Sequence, residues 1–172
     1  VPPLDKIVSI AKEYDAMIFL DDAHGIGVLG PEGRGAAAEY NLTDDIDILM
    51  GTFSKSFASS GGYIAANKSI CNFVRHHARS FIFSASIPPA NCATVHAVLD
   101  LIENDNSYRN NLISIANKMR KGLKELGFEI SKSTTPIIPI IIGDEMKTFK
   151  FYKKLFHHSP RGIFTNPVRA PA

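Results

Sequence analysis

Lys55 lies in the run Gly51-Thr52-Phe53-Ser54-Lys55-Ser56, directly after the apolar stretch Ile46-Asp47-Ile48-Leu49-Met50. Such a stretch reads as a short buried strand, which commits the chain to a sheet and delivers the lysine at a strand's end rather than on a solvated helix. A second apolar run, Ala16-Met17-Ile18-Phe19-Leu20, ends in Asp21-Asp22-Ala23-His24. Two strand ends therefore offer an amine, hydroxyls, carboxylates and an imidazole, which predicts a common site.

Around these runs, helical and strand patterns alternate. Leu4, Ile7, Val8, Ala11 and Tyr14 recur at helical spacing after Pro2-Pro3, a favourable helix start. Strands are predicted over Ala16–Asp21, Ile46–Gly51 and Tyr63–Ala66, with a glycine-rich loop from Gly25 to Gly35 between the first two. Ser69 to Arg79 reads as helix, Phe81-Ile82-Phe83 as an extended piece, and Pro88-Pro89 opens a helix reaching about Glu103. Ser107 to Leu126 is the clearest amphipathic helix, with Leu112, Ile115, Met119, Leu123 and Leu126 on one face and Gly127 as its stop. A β-branched strand over Thr135–Ile142 follows, then a helix from Glu145 to about Phe156 and a strand near Gly162–Thr165. The order indicates α/β architecture in two units, residues 1–104 and 105–172.

Composition narrows the function classes. The 172 residues, 45% hydrophobic and 21% charged, fit one globular domain or a domain plus part of another. A net charge of +2 is too small to argue for nucleic acid or an acidic membrane surface. The basic run from Lys118 to Lys124 is interleaved with helical apolar positions and reads as a solvated face. Cys71 and Cys92 form no Cys-x-x-Cys pair, which fits a reducing compartment. With no apolar stretch long enough for a bilayer and no signal-like opening, a soluble cytoplasmic protein without a transmembrane segment is expected. The chain begins without Met and enters a helix at once, so a segment of a longer protein is also expected.

Each constellation has a plain alternative. The hydroxyls of Thr52, Ser54 and Ser56 and the loop amides suit a phosphate. An amine that forms a Schiff base needs surroundings that depress its pKa; spacing alone leaves Lys55 open between that role and a solvated lysine. Asp21 and Asp22 leave a strand on opposite sides, so one faces a site while the other caps or pairs locally. A Schiff-base amine and a carboxylate beside a pyridine nitrogen are the two protein groups that pyridoxal phosphate (PLP) most needs. Gly25-Ile26-Gly27-Val28-Leu29-Gly30 matches a dinucleotide fingerprint, but Pro31-Glu32-Gly33-Arg34-Gly35 extends the loop where that motif needs a helix. Cys92 and His96 stand one helical turn apart without a second ligand pair, so no metal site is expected.

Taken together, the runs Val-Pro-Pro-Leu-Asp-Lys-Ile, Asp-Asp-Ala-His-Gly-Ile-Gly-Val-Leu-Gly, Gly-Arg-Gly, Gly-Thr-Phe-Ser-Lys-Ser, Phe-Ser-Ala-Ser-Ile-Pro-Pro and Gly-Ile-Phe-Thr-Asn-Pro-Val resemble the α-oxoamine synthases in order and spacing. These are fold-type-I PLP-dependent enzymes. The resemblance implies an α/β fold in which this chain is part of the large-domain mixed sheet with flanking helices plus part of a smaller α/β C-terminal domain. It implies Lys55 as the Schiff-base lysine, Asp21 as partner of the pyridinium nitrogen, His24 on the ring's phenolic oxygen and Ala23 against a ring face. Thr52 would bind the phosphate, and Ser84 with the Ala85 amide would reach the neighbouring subunit's cofactor in a homodimer with interfacial sites. The implied reaction condenses serine, alanine or glycine with an acyl-CoA thioester, releasing CoA and CO2. The family's ring-stacking histidine is expected before Val1 and its carboxylate-binding arginine beyond Ala172. A non-catalytic homologous subunit and a dinucleotide-dependent oxidoreductase are the alternatives; retained Lys55, Asp21 and His24 argue against the first, and the loop prolines and glycines against the second.

Overall fold

The computed structural model describes residues 1–158 and 160–168. Ser159 and the last four residues of the expected C-terminal portion lie outside the described set. The chain divides into two compact units, one from Val1 to Ile113 and one from Ser114 onward.

The first unit opens with helix α1, Leu4–Glu13, started by the prolines and closed by Asp15 in the left-handed conformation (φ 50°). There the Ala16 N–H reaches back to the Ala11 carbonyl at 2.8 Å. Leu4 and Val8, one turn apart, are buried together with Ala37, and Ile18, Leu20, Leu42, Ile46 and Leu49 pack against them. This is the unit's core.

Strand β1, Phe19–Asp21, runs parallel to β2, Ile48–Thr52, in the register Phe19↔Ile48, Leu20↔Leu49, Asp21↔Met50. Strand β3, Gly62–Ala66, returns antiparallel to β2 and completes a three-stranded sheet of order β1-β2-β3. The predicted first strand is too long at its start. Ala16 is spent on closing α1, and the Ile18 N–H donates to the Asp47 carboxylate at 2.7 Å, so pairing begins only at Phe19. Between β1 and β2 lie the glycine loop, a 3-10 turn over Pro31–Gly33, the short helix α2 (Ala36–Glu39) and a 3-10 turn over Thr43–Asp45.

Helix α3, Lys68–His77, starts at Asn67, whose side chain accepts the Ile70 N–H at 2.9 Å. The extended piece predicted over Phe81–Phe83 is instead a helical turn, α4, Arg79–Ile82. Among the described residues no strand pairs with this piece, and the Ala78 carbonyl takes the N–H groups of Phe81 and Ile82. Helix α5, Pro89–Asn104, has its proline at the first helical position, where the missing donor costs nothing. Helix α6, Ser107–Glu125, follows.

In the second unit, α6 ends as its glycine predicts. Gly127 (φ 81°) and Phe128 return N–H groups to Lys124 and Leu123, a closed C-terminal turn. The predicted strand Thr135–Ile142 forms only one bridge, Ile130↔Ile140, because Pro136 and Pro139 interrupt it and carry no N–H for a ladder. Helix α7, Glu145–Phe156, is capped by the Asp144 carboxylate on the Lys147 N–H at 2.7 Å. Gly162–Thr165 is not a strand either: Gly162 (φ 61°) folds back on His158, and the Ile163 N–H bonds to Leu155 at the end of α7.

Leu4 is 2% exposed at the centre of the first unit's core. Leu4→Ala should lower the unfolding free energy of the full-length protein by about 3 kcal/mol, read from urea denaturation. A loss under about 1 kcal/mol would remove Leu4 from the core.

Candidate functional site

Parallel pairing of β1 with β2 brings both C-terminal ends side by side, and the Asp22 N–H extends the ladder by bonding to the Met50 carbonyl at 2.9 Å. In α/β sheets this is the edge at which ligands bind. The two aspartates then diverge. Asp21 is exposed and its Oδ1 accepts the Ala23 N–H at 3.0 Å. Asp22 is 4% exposed, and its Oδ2 accepts the Ala36 N–H at 2.8 Å, which satisfies a donor at the start of α2. Gly25 and Gly35 close on this carboxylate so tightly that a Cβ on either would stand 1.9 Å from an Asp22 oxygen.

Burial pushes the Asp22 carboxyl above the usual carboxylate range; the Ala36 N–H opposes the rise and the charge of Asp21 adds to it. A carboxyl raised in the folded state contributes stability that is full below its unfolded pKa and withdrawn as pH rises through its folded pKa. Ionised Asp22 is thus the form that folding disfavours. Burial and the charge of Asp22 also raise the Tyr63 hydroxyl.

The loop beyond β2 is closed on itself. Phe53 N–H bonds to Gly61, Ser59 N–H to Phe53 and Ala58 N–H to Lys55, with Ala58 in the left-handed region (φ 49°). Lys55 is exposed at its apex. The Thr52 and Ser54 hydroxyls lie 2.8 Å apart, and Thr52 Oγ1 also accepts the Ser54 N–H at 3.3 Å. Phe57 is buried, its ring edge-on to Phe53, which stacks on Tyr63. Ser56 donates to the Ile26 carbonyl at 2.8 Å, joining this loop to the glycine loop.

Asp21, Ala23 and His24 thus follow one strand end, and Thr52 and Lys55 follow the adjacent one. Ser84 and Ala85 are exposed on the segment after α4, where the Ser84 hydroxyl donates to the Ser80 carbonyl. Among the described residues no hydrogen bond joins them to Thr52, Lys55, Asp21 or His24. No helix begins within Gly25–Gly30, so the glycine motif lacks the helix N-terminus that a dinucleotide site requires. Sequence reasoning offered the Ser56 hydroxyl to a phosphate, whereas it is engaged by the Ile26 carbonyl. It missed Tyr63 and the glycines packed on Asp22, for which the pairing of a second aspartate with flanking glycines was the available signal.

A lysine, an aspartate and a histidine thus stand at or just after adjacent parallel strand ends, and comparison with known proteins assigns the family. The chain belongs to the aminotransferase class I and II family, whose profile matches residues 1–171. It is 53% identical to the serine palmitoyltransferase of Bacteriovorax stolpii over 98% of this chain and 40% of that protein. It is 40% identical to 8-amino-7-oxononanoate synthase 2 of Bacillus subtilis over 99% of this chain and 43% of that protein. A solved serine palmitoyltransferase with PLP superposes with a TM-score of 0.91 at 32% identity, covering 99% of this chain and 43% of that one. The chain thus spans about two fifths of the length of the curated relatives it matches. Among the described residues no helix is long and apolar enough to cross a membrane.

The three atoms nearest a Cβ at Gly25 all belong to Asp22, and the position has no left-handed φ. Gly25→Ala should therefore destabilise the full-length protein by about 2 kcal/mol, whereas in an Asp22→Ala background the same change should cost under about 1 kcal/mol. Equal costs in both backgrounds, measured by chemical denaturation, would contradict the packing described.

Proposed function

We propose that this chain carries the lysine-bearing portion of a PLP-dependent enzyme that joins a small amino acid to an acyl-CoA thioester with loss of CO2 and CoA. The observation that carries the reading is Lys55, exposed on the loop after β2 beside the strand end bearing Asp21 and His24, in a chain 53% identical to a serine palmitoyltransferase. The donor set fits PLP: a primary amine for its aldehyde, two hydroxyls 2.8 Å apart for phosphate oxygens, and an exposed carboxylate for its ring nitrogen. When bound, PLP supplies an electron-accepting ring that stabilises charge developing on the amino acid's α-carbon.

Each residue then has a stated task. Lys55 would hold PLP through Nζ, and the same amine is the group placed to take the amino acid's α-proton. Asp21 would keep the ring nitrogen protonated through its carboxylate. His24 would donate to the phenolic oxygen, Ala23 would pack on the ring, and Thr52 would donate to the phosphate. Ser84 and the Ala85 N–H serve the phosphate of a partner subunit's cofactor in a homodimer. Identity of 53% to the Bacteriovorax stolpii serine palmitoyltransferase, against 40% to the Bacillus subtilis synthase, favours serine and a long-chain acyl-CoA. Two free cysteines support a reducing compartment, and the cytoplasm is the proposed location.

Borohydride reduction of the PLP-loaded full-length protein should label the peptide containing Lys55, and Lys55→Ala should abolish both label and CoA release from serine with palmitoyl-CoA. Label retained by the mutant, or mapped to another lysine, would refute the assignment; alanine supporting faster CoA release than serine would shift the substrate.

Asp21→Asn should lower kcat by about 100-fold or more, since the ring loses a charged partner aimed at developing charge. Asp22→Asn should change it by less than about fivefold, because that carboxylate binds Ala36 and not the ligand side. Equal losses in two folded variants would show that both aspartates act on the cofactor.

A further inference from the structure

Two loops supply the proposed chemistry, and each is rigid within itself. The lysine loop closes through Phe53–Gly61, Ser59–Phe53 and Ala58–Lys55 backbone bonds. The glycine loop closes through Gly27 N–H to Gly33 at 2.7 Å and Gly35 N–H to Leu29 at 2.8 Å. Internal closure fixes the shape of each loop and leaves open how the two stand to one another. That second relation decides where Lys55 Nζ lies with respect to groups held by Asp21 and His24.

We propose that Ser56 is a positioning residue: its hydroxyl, donating to the Ile26 carbonyl, locks the loop that presents Lys55 onto the loop that presents His24. The bond is 2.8 Å long, half-buried, and links residues 30 positions apart, so it is a tertiary contact and not a local turn. The neighbouring residue makes room for it. Gly27, at φ 78°, would carry a Cβ 2.7 Å from Ser56 Cβ, so close approach there requires glycine. Phe57, 4% exposed and edge-on to Phe53, is a contact within the lysine loop and helps fix that loop's own shape. Lys55 itself is exposed, and its reach is set by its flanks.

The inference rests on the reading of Lys55 given above, and it concerns geometry rather than chemistry. Misplacing a reacting amine by about an ångström costs up to roughly 100-fold in rate without removing any binding group. Ser56→Ala in the full-length PLP-loaded protein should therefore lower kcat about 10- to 100-fold while KM for amino acid and acyl-CoA moves less than about threefold. The visible absorption and circular dichroism of the bound cofactor should change in shape at equal cofactor occupancy. Ser56→Cys, which keeps a weak donor, should fall between wild type and the alanine variant. Ser59→Ala is the control, since that hydroxyl lies in the same loop but bonds to the Asn91 carbonyl at 3.1 Å, and its kcat should stay near wild type.

Outcomes separate the two readings. A wild-type protein without bound PLP or CoA release defeats the functional proposal. An active wild type whose Ser56→Ala form keeps its kcat and cofactor spectrum defeats only the positioning role. A kcat loss equal in Ser59→Ala, or one matched by loss of bound cofactor, also overturns it, because loop loosening would then be the cause.

Discussion

The Asp22 carboxylate decides the path of the chain from the end of β1 to the start of α2. Burying a charged carboxylate is expensive unless its oxygens are bonded, and this one meets the Ala36 N–H with one oxygen while glycines close around both. Three hydrogen bonds converge on this residue: the Gly25 and Ile26 N–H groups return to its carbonyl, and the Ala36 N–H at the start of α2 meets its side chain. With Asp22 turned inward, strand geometry turns Asp21 the other way. A buried anchor and an exposed acid are thus one decision, made by consecutive residues.

The sheet supplies the second half of that decision. Because β1 and β2 run parallel, Asp21 and Thr52 leave the same edge, and no antiparallel pairing of these strands would achieve it. Antiparallel β3 then brings Gly62 opposite Thr52 and Tyr63 opposite Gly51. A Cβ at Gly51 would lie 2.5 Å from the Tyr63 ring, so the aromatic fills the space a side chain would take. Tyr63 in turn supports Phe53, whose backbone starts the lysine loop. The amine's location is therefore fixed from below by packing and from the side by a hydroxyl.

What could be read from sequence follows how local the responsible physics is. Prolines before α1 and at the start of α5 and Gly127 after α6 act within a few residues, and those helices begin or end where those signals stand. The three strands of the sheet were legible as apolar runs, although Asp47's hold on Ile18 N–H, which shortens the first, was not. Strands need a partner, and the runs Phe81–Phe83, Thr135–Ile142 and Gly162–Thr165 lack one among the described residues; helical or turn bonds, or a single bridge, took their place. Lys55, Asp21 and His24, the proposed site residues, were legible as groups at or just after strand ends, and the fold puts them there. Ser56 was legible only as a hydroxyl suited to a phosphate, because its actual partner, the Ile26 carbonyl, is remote in sequence.

The relation between core and site explains why such remote bonds matter. The first unit's buried core is small, centred on Leu4, Val8 and Ala37, with the strand residues Leu20 and Leu49 packed against it. Apolar packing therefore fixes the strands, and hydrogen bonds add to packing in fixing what the strands present. A net contribution near 1 kcal/mol per bond is modest against total stability, so losing one leaves the fold standing. The same loss acts directly on the relation between the two loops, which this bond joins. Substitutions at Leu4 and Ser56 should thus fall into opposite classes, one felt by the whole chain and little by the geometry of the amine, the other the reverse. Evolution of specificity in such a scaffold can proceed through loop contacts without disturbing the strands that carry them.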